Sequence, residues 1–348
     1  MPDNKLRVVQ IGCGERAPSP LAAMLECGAV ELLAICDRHE EKRNKVGGQF
    51  GIARRYEDLA EMIQVEKPDL VNIVTRPQIQ LPIIEQAIAA GAPALLVEKP
   101  MALTPSAAFR LAELGKARLI AVNTQYQWMP HWQRFWKVLA NGELGQVRLL
   151  RASTRTHLLD QGPHILDLAL KAATISGLPG PEWVLAACEG QVRYGSVTVP
   201  ANTSATIGLG EARLHLNAGP SAPLVPGETV FWYQQQLEVT GDLGRLWVSL
   251  NQGWKLWREG NFESGETAWP KNDGEAQQAL FIELRDTLHS NDMRWKEFPT
   301  RVEIAARNAE VMFGCYASAL EKATFVFNRR WPKRVITKIE KFTQQGQN

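Results

Sequence analysis

The sequence predicts an α/β protein in two parts: a doubly wound parallel sheet over residues 1–122, and an α+β domain with an open, mostly antiparallel sheet over residues 123–348. Three observations predict it. Short apolar runs alternate with helically spaced segments as far as Val122, a glycine turn follows the first run, and strand-like segments bounded by turn residues dominate from Val147 onward. A chain of 348 residues also exceeds the usual size of a single core.

Leu6 to Ile11 is a compact apolar strand, and Gly12-Cys13-Gly14-Glu15-Arg16-Ala17 turns it into a helix around Pro20 to Leu25. The first glycine permits the tight turn, the second lets backbone approach a pyrophosphate, and Ala17 takes the third place. Val30 to Cys36 is the second strand. It ends on Asp37, about 20 residues past the glycines, where an acid binds a ribose diol; the run Asp37-Arg38-His39-Glu40 also resembles a capping box. Strand Asp69 to Thr75, helix Leu81 to Ala90 closed by Gly91, strand Ala94 to Val97, helix Thr104 to Lys116 and strand Leu119 to Val122 complete a Rossmann-type alternation.

Val97 leads into Glu98-Lys99-Pro100. Ligands of such sheets bind outside the carboxyl ends of the strands, so this pair would face a crevice rather than the core, although it also reads as an ordinary polar strand-to-helix turn. Proline holds Lys99 extended, and neighbours in an extended chain point to opposite sides. One of the two can meet a substrate while the scaffold holds the other.

In the second part, Gln125 to Pro130 leads into a helix from His131 to Ala140. Strands are expected at Val147 to Thr156, Val192 to Val197, Thr203 to Leu209, Arg213 to Leu216, Thr229 to Thr240, Arg245 to Leu250 and Trp254 to Arg258, with Gly260 to Gly274 as a flexible loop. Helices Gly274 to Leu288 and Arg301 to Thr324 close the chain. Alternation from 229 to 240 sets Phe231, Tyr233, Leu237 and Val239 on one face and Trp232, Gln234, Gln236 and Glu238 on the other. With Trp247, Trp254 and Trp257 on neighbouring strands, the sheet carries more aromatic surface than a monomer exposes, which predicts a homodimer or homotetramer paired through it.

Between these strands, a helix beginning near Asp160 would set Asp160 and His164 one turn apart on one face. An Asp beside a His holds the imidazole tautomer and raises its proton affinity, as a general base needs. The two also read as a capping and surface pair.

Composition narrows the partner. A hydrophobic share of 45%, a charged share of 22% and a net charge of +2 give no electrostatic reason to expect nucleic acid or an anionic membrane, so a small molecule is expected. Five scattered cysteines without a CxxC pair predict neither a disulfide framework nor a metal site, and they suit a reducing cytoplasm. Met1-Pro2-Asp3-Asn4-Lys5 leads directly into the first strand with no apolar signal segment, and no apolar run reaches membrane-spanning length.

Together these residues resemble the glucose-fructose oxidoreductase, inositol dehydrogenase and rhizopine catabolism protein family, Gfo/Idh/MocA. The resemblance rests on Gly12-x-Gly14-x-x-Ala17, Cys36-Asp37-Arg38, Asn72-Ile73-Val74-Thr75, Val97-Glu98-Lys99-Pro100, Gly142-Glu143-Leu144-Gly145, Asp160-x-Gly162-x-His164 and the helix from Ala306 to Ala323. It implies hydride transfer between a nicotinamide and a secondary alcohol or ketone of a sugar, polyol or sugar derivative, with Lys99, Asp160 and His164 as the catalytic trio and no metal. Candidate cofactor contacts are Gly12, Cys13, Gly14, Glu15, Arg16, Asp37, Arg38, Thr75, Gln80, Glu98, Lys99 and Gln125. Candidate substrate contacts are Lys99, Tyr126, Trp128, Arg155, His157, Asp160 and His164. An ionised Asp37 repels a 2′-phosphate and favours NAD, while Arg38 could pair with that phosphate and admit NADP. The chain departs from the family pattern at Gln80, where many members carry histidine, at Gln127 in place of an arginine, and at Arg155-Thr156-His157 in place of glycines. Arg155 and His157 could therefore contact a carboxylate or phosphate, or Arg155 could simply belong to a surface strand. Two other activities fit the same pattern: a glycosidase or isomerase that oxidises a sugar transiently, and a non-catalytic NAD-dependent sensor, against which the intact trio argues.

Overall fold

The computed structural model describes residues 5–345 except 270, 291, 329–330 and 332–333, and at 272 and 342–345 the backbone alone. The leading residues 1–4, read above as running straight into the first strand, lie outside the described residues. The chain forms two compact units, Met1–Trp128 with Asp273–Ala306, and Met129–Asn272 with Arg307–Asn348. Where the sequence suggests one break at residue 122, residues 273–306 group with the first unit. Backbone bonding explains this: the Val122 N–H donates to the Thr300 carbonyl at 2.8 Å, and Phe298, 2% exposed, lies against the Trp128 ring.

The first unit runs β1 (Leu6–Ile11), α1 (Pro18–Glu26), β2 (Val30–Cys36), α2 (Glu40–Gln49), β3 (Arg55–Tyr56), α3 (Leu59–Glu66), β4 (Leu70–Ile73), α4 (Pro77–Ala89), β5 (Leu95–Val97), α5 (Pro105–Gly115) and β6 (Ile120–Val122). The strands form a six-stranded parallel sheet in the order β3-β2-β1-β4-β5-β6. Leu70, Val71, Leu95, Leu96 and Val97 are fully buried, as expected of parallel strands covered on both faces. Local chemistry starts the helices: α1, α4 and α5 carry Pro in their first positions, and the Asp58 and Thr104 side chains accept the Glu61 and Ala107 N–H groups.

The second unit begins with α6 (Pro130–Ala140), β7 (Val147–Thr154) and α7 (Leu158–Ile175). Strands β8 (Trp183–Glu189), β9 (Val192–Tyr194), β10 (Val197–Val199), β11 (Asn202–Leu209), β12 (Ala212–Ala218), β13 (Gln235–Gly241), β14 (Gly244–Ser249), β15 (Trp254–Arg258) and β16 (Asn261–Gly265) follow. Most of α8 (Lys271–Leu288) and the start of α9 (Val302–Glu321) fall in the first unit's segment, and the rest of α9, β17 (Phe325–Val326) and α10 (Val335–Gln345) in the second. The nine-stranded sheet has the order β16-β15-β14-β13-β7-β12-β11-β8-β17 and is antiparallel except where β12 pairs with β7. One face is apolar: Leu150, Leu214, Leu216, Leu237, Val239, Leu246 and Leu256 are at most 1% exposed, and α7 lies against β7, β13, β11 and β12. The other face carries Arg151, Glu238, Arg245, Trp247, Lys255 and Trp257, with Glu238 ion-paired to both arginines and the Arg245 guanidinium 4.3 Å from the Trp257 ring centre.

Three expectations are corrected here. The strand expected from Thr229 starts only at Gln235, because Phe231–Tyr233 is a turn of 3-10 helix. The buried Glu228 carboxylate takes the Thr229 and Val230 N–H groups, and the Gln234 side chain takes the Val225 N–H, so the preceding backbone bonds locally instead of joining the ladder. Phe231 and Tyr233 therefore do not share a sheet face with Leu237 and Val239. The segment expected as a flexible loop contains β16, reached through Gly260 at φ +70°. The run 192–197 is broken by Gly195 at φ +61°, so β9 and β10 form a separate two-stranded hairpin.

Leu214→Ala should cost about 2–5 kcal/mol by leaving a cavity under the covered face. Leu243→Ala, at a position 54% exposed, should stay within about 0.5 kcal/mol. Denaturant unfolding of the two variants checks the contrast.

Candidate active site

The carboxyl edge of the first sheet gathers the candidate cofactor residues. Gly12 sits at φ +101°, and a Cβ there would lie 2.2 Å from the Val74 carbonyl oxygen, so only glycine fits between the ends of β1 and β4. A Cβ at Gly14 would meet nothing within 4 Å, which leaves that backbone open to a ligand. The Gly12 N–H donates to the Cys36 carbonyl at 2.8 Å. Beneath the turn, Gln10 and Asn72 are register partners on β1 and β4 and almost fully buried. The Asn72 Nδ2 donates to Gln10 Oε1 at 3.0 Å, and Gln10 Nε2 donates to the Gly12 carbonyl at 3.1 Å.

Asp37 ends β2 as expected, but it is not a helix cap. The N-cap of α2 is His39, and the Asp37 carboxylate instead accepts the Cys13 N–H through Oδ2 and the His39 N–H through Oδ1, both at 2.9 Å. It thus joins the glycine turn to the second crossover, with lone pairs remaining for a diol. Glu15, Arg16 and Arg38 are exposed beside it. Burial pushes the Cys13 and Cys36 thiols up to about 12, so neither is a nucleophile near neutrality.

At the end of β5 the alternation holds. Glu98 is 7% exposed and accepts from Asn123 Nδ2 at 2.9 Å, whereas Lys99 is half-buried; the Lys99-Pro100 peptide is cis. Gln80, expected at the cofactor, is fully buried and its Nε2 donates to the Glu98 and Thr75 carbonyls at 2.8 and 3.2 Å, a scaffold position. Gln125 is buried and donates to Asp273 Oδ1 at 2.5 Å. Tyr126 and Trp128, expected as substrate contacts, are 4% and 9% exposed. Thr75 Oγ1, Gln80 Oε1, Asn123 Oδ1 and Thr124 Oγ1 are buried and accept or donate no hydrogen bond among the described residues. Unsatisfied polar atoms along this edge, together with the open backbone at Gly14, fit a polar dinucleotide.

In the second unit the remaining candidates follow one another from β7 into α7. Arg155 is half-buried and its N–H donates to the Gln234 carbonyl at 3.1 Å. His157 is the N-cap residue of α7 and sets its ring edgewise on Tyr194 at 4.8 Å. The helix starts at Leu158, so Asp160 lies in its first turn and His164 one turn later, 2% exposed. Gly162 between them has Leu158 and Met312 where a Cβ would be, 2.8 and 3.4 Å away.

A six-stranded sheet in this order, with a glycine turn after β1 and an acid after β2, defines a dinucleotide-binding α/β domain. Residues 6–124 match the model of Gfo/Idh/MocA, an oxidoreductase family with an NAD-binding Rossmann fold. Over 178 residues it is 31% identical to D-apiose dehydrogenase of Paraburkholderia graminis, covering 46% of this chain and 47% of the relative. Over 193 residues it is 24% identical to D-glucoside 3-dehydrogenase of Escherichia coli, covering 49% and 54%. The chain spans about half the length of the relatives it matches. An oxidoreductase from Agrobacterium radiobacter, solved in complex with NAD+, L-tartaric acid and magnesium, has the same fold, with a TM-score of 0.79 at 21% identity over 93% of this chain and 98% of that one.

Sequence reading missed the amides that support the turn. Gln10 and Asn72 were the available signal, each a lone amide inside an otherwise apolar strand. Asn72→Leu should destabilise by about 1–3 kcal/mol because it strands Gln10, while Gln10→Met with Asn72→Leu should cost less than the two single changes summed. A double-mutant cycle in denaturant measures the coupling.

Proposed function

We propose that this protein is a cytoplasmic NAD-dependent dehydrogenase or reductase acting on a secondary alcohol or ketone of a sugar, polyol or sugar derivative. The observation that carries the reading is the end of β5, where Glu98 is buried on Asn123 and Lys99 stands half-buried at the sheet's carboxyl edge. The apiose and glucoside dehydrogenases among its relatives support the sugar class. Gly12, Cys13, Gly14 and Arg16 would hold the pyrophosphate at the start of α1, and Asp37 the adenosine ribose, disfavouring a 2′-phosphate.

When bound, NAD supplies the hydride acceptor for oxidation or, as NADH, the donor for reduction. Loss of hydride from carbon requires loss of the hydroxyl proton, and His164 takes that proton. Asp160, one turn away on α7, would orient the imidazole. The Lys99 ammonium stabilises charge developing on the substrate oxygen. Arg155 and His157, on the same connection, contact the substrate away from the reacting carbon.

The second sheet's uncovered face is proposed to pair two chains about a two-fold axis. Trp247 and Trp257 there supply the large aromatic surface, and the arginines and Glu238 supply a self-complementary charge pattern. Light scattering at micromolar concentration should show a dimer or tetramer, and a monomer would sink this part.

Lys99→Ala and His164→Ala should each lower turnover at least about a hundredfold with little change in NAD affinity. Stopped assays on a panel of sugars and polyols, with NADH release followed directly, check this; near-normal turnover in either variant removes the mechanism. Asp37→Ala should weaken NAD far more than NADP, read by binding titration of both.

A further inference from the structure

The first turn of α8 places a carboxylate where the mechanism above gives it no role. Asp273 Oδ1 accepts from Gln125 Nε2 at 2.5 Å, and Oδ2 accepts from Gln277 Nε2 at 2.9 Å. The same Gln277 nitrogen donates to Ser19 Oγ at 2.9 Å, in the first turn of α1. Gln125 and Gln277 are 4% and 3% exposed. One amide therefore ties the acid to the helix whose N-terminus follows the glycine turn. The charged groups that face Asp273 are Arg16, from that turn, and Glu98, from the end of β5; Gln125, Gln277 and Ser19 are neutral.

We propose that Asp273 is a positioning residue of the dinucleotide turn, and that NAD binding there is coupled to uptake of a proton by its carboxylate. The inference rests on the cofactor assignment made above. A dinucleotide pyrophosphate brings negative charge to the start of α1, one amide away from this acid. That charge opposes an ionised Asp273, and any engagement of Arg16 by the pyrophosphate removes the cation that favours ionisation. Both effects make the carboxyl bind its proton more tightly. By linkage, protonated Asp273 then binds NAD more tightly.

The acid is already poised for this. Burial, opposed by the two amide bonds and Arg16 and reinforced by Glu98, pushes the Asp273 carboxyl up to about 6. The sign in the unliganded protein follows. A carboxyl raised above its ordinary 3.8 stabilises the fold below that value, and the contribution is lost as pH rises through about 6.

The test is calorimetric titration of the full chain with NAD at pH 7 in buffers of different ionisation enthalpy. If NAD raises the carboxyl by a further unit, uptake should be about 0.4 proton per NAD, and affinity should fall roughly tenfold between acid and alkaline limits. Asp273→Asn keeps the shape and, with the Gln125 or Gln277 amide turned over, the hydrogen bonds. It should bind NAD with no proton uptake and with affinity independent of pH. Gln277→Leu retains the acid but removes a hydrogen bond that favours its ionised form, so the pH of greatest uptake should move upward, and it decides the question if Asp273→Asn does not fold. A purely structural acid would leave the proton count near zero in the wild type. That result, unchanged uptake in Asp273→Asn, or an unmoved pH of greatest uptake in Gln277→Leu overturns the inference while leaving the dehydrogenase reading intact; failure of the wild type to bind NAD overturns both.

Discussion

The first unit depends on one backbone approach that tolerates no side chain. With Gly12 at φ +101° and the Val74 carbonyl 2.2 Å from where its Cβ would lie, the ends of β1 and β4 can close on each other only at glycine. The Gly12 N–H reaches the Cys36 carbonyl, which draws the end of β2 into the same turn. Three strand ends converge there, and Cys13, Asp37 and Thr75 become neighbours although 62 residues separate Cys13 from Thr75. The buried pair Gln10 and Asn72 lies directly below, and its amides pass a donor chain across the sheet to the Gly12 carbonyl. Such a pair is costly unless hydrogen-bonded, so these two bonds support the register of β1 against β4 as well as the loop.

Carboxylates on this edge are held in different ways. Asp37 is bonded to two backbone N–H groups, Glu98 to the Asn123 amide and Asp273 to two glutamine amides. Burial moves the Asp273 carboxyl toward its neutral form, against the pull of the two amide bonds and Arg16.

The second sheet solves a different problem. Its apolar face is covered by α7 along β7, β13, β11 and β12, while its other face mixes tryptophan with arginine, lysine and glutamate. Exposed ion pairs such as Arg151 with Glu238 contribute little stability in water. On the same face Trp247 and Trp257 are covered by cationic side chains, Lys255 over one ring and Arg245 over the other, so that large rings can lie on a surface.

By itself the sequence determined every element of the first unit whose signal is local and strong: β1 and β2 fall on the expected residues, and the glycine turn, Asp37 and the Glu98-Lys99 alternation appear where spacing requires. In α7, Asp160 and His164 share a face because a helix of about 3.6 residues per turn brings positions four apart onto the same side. Tertiary structure decided what no periodicity records. Whether Thr229–Gln234 extends a strand depends on a buried carboxylate at Glu228 that competes for its backbone, and whether Gln80, Tyr126 and Trp128 face a ligand or the interior depends on what packs over them. Residues 273–306 group with the first unit because Thr300 meets Val122 across a gap of 178 positions, and a contact between residues that far apart leaves no mark on either one's neighbours in the chain.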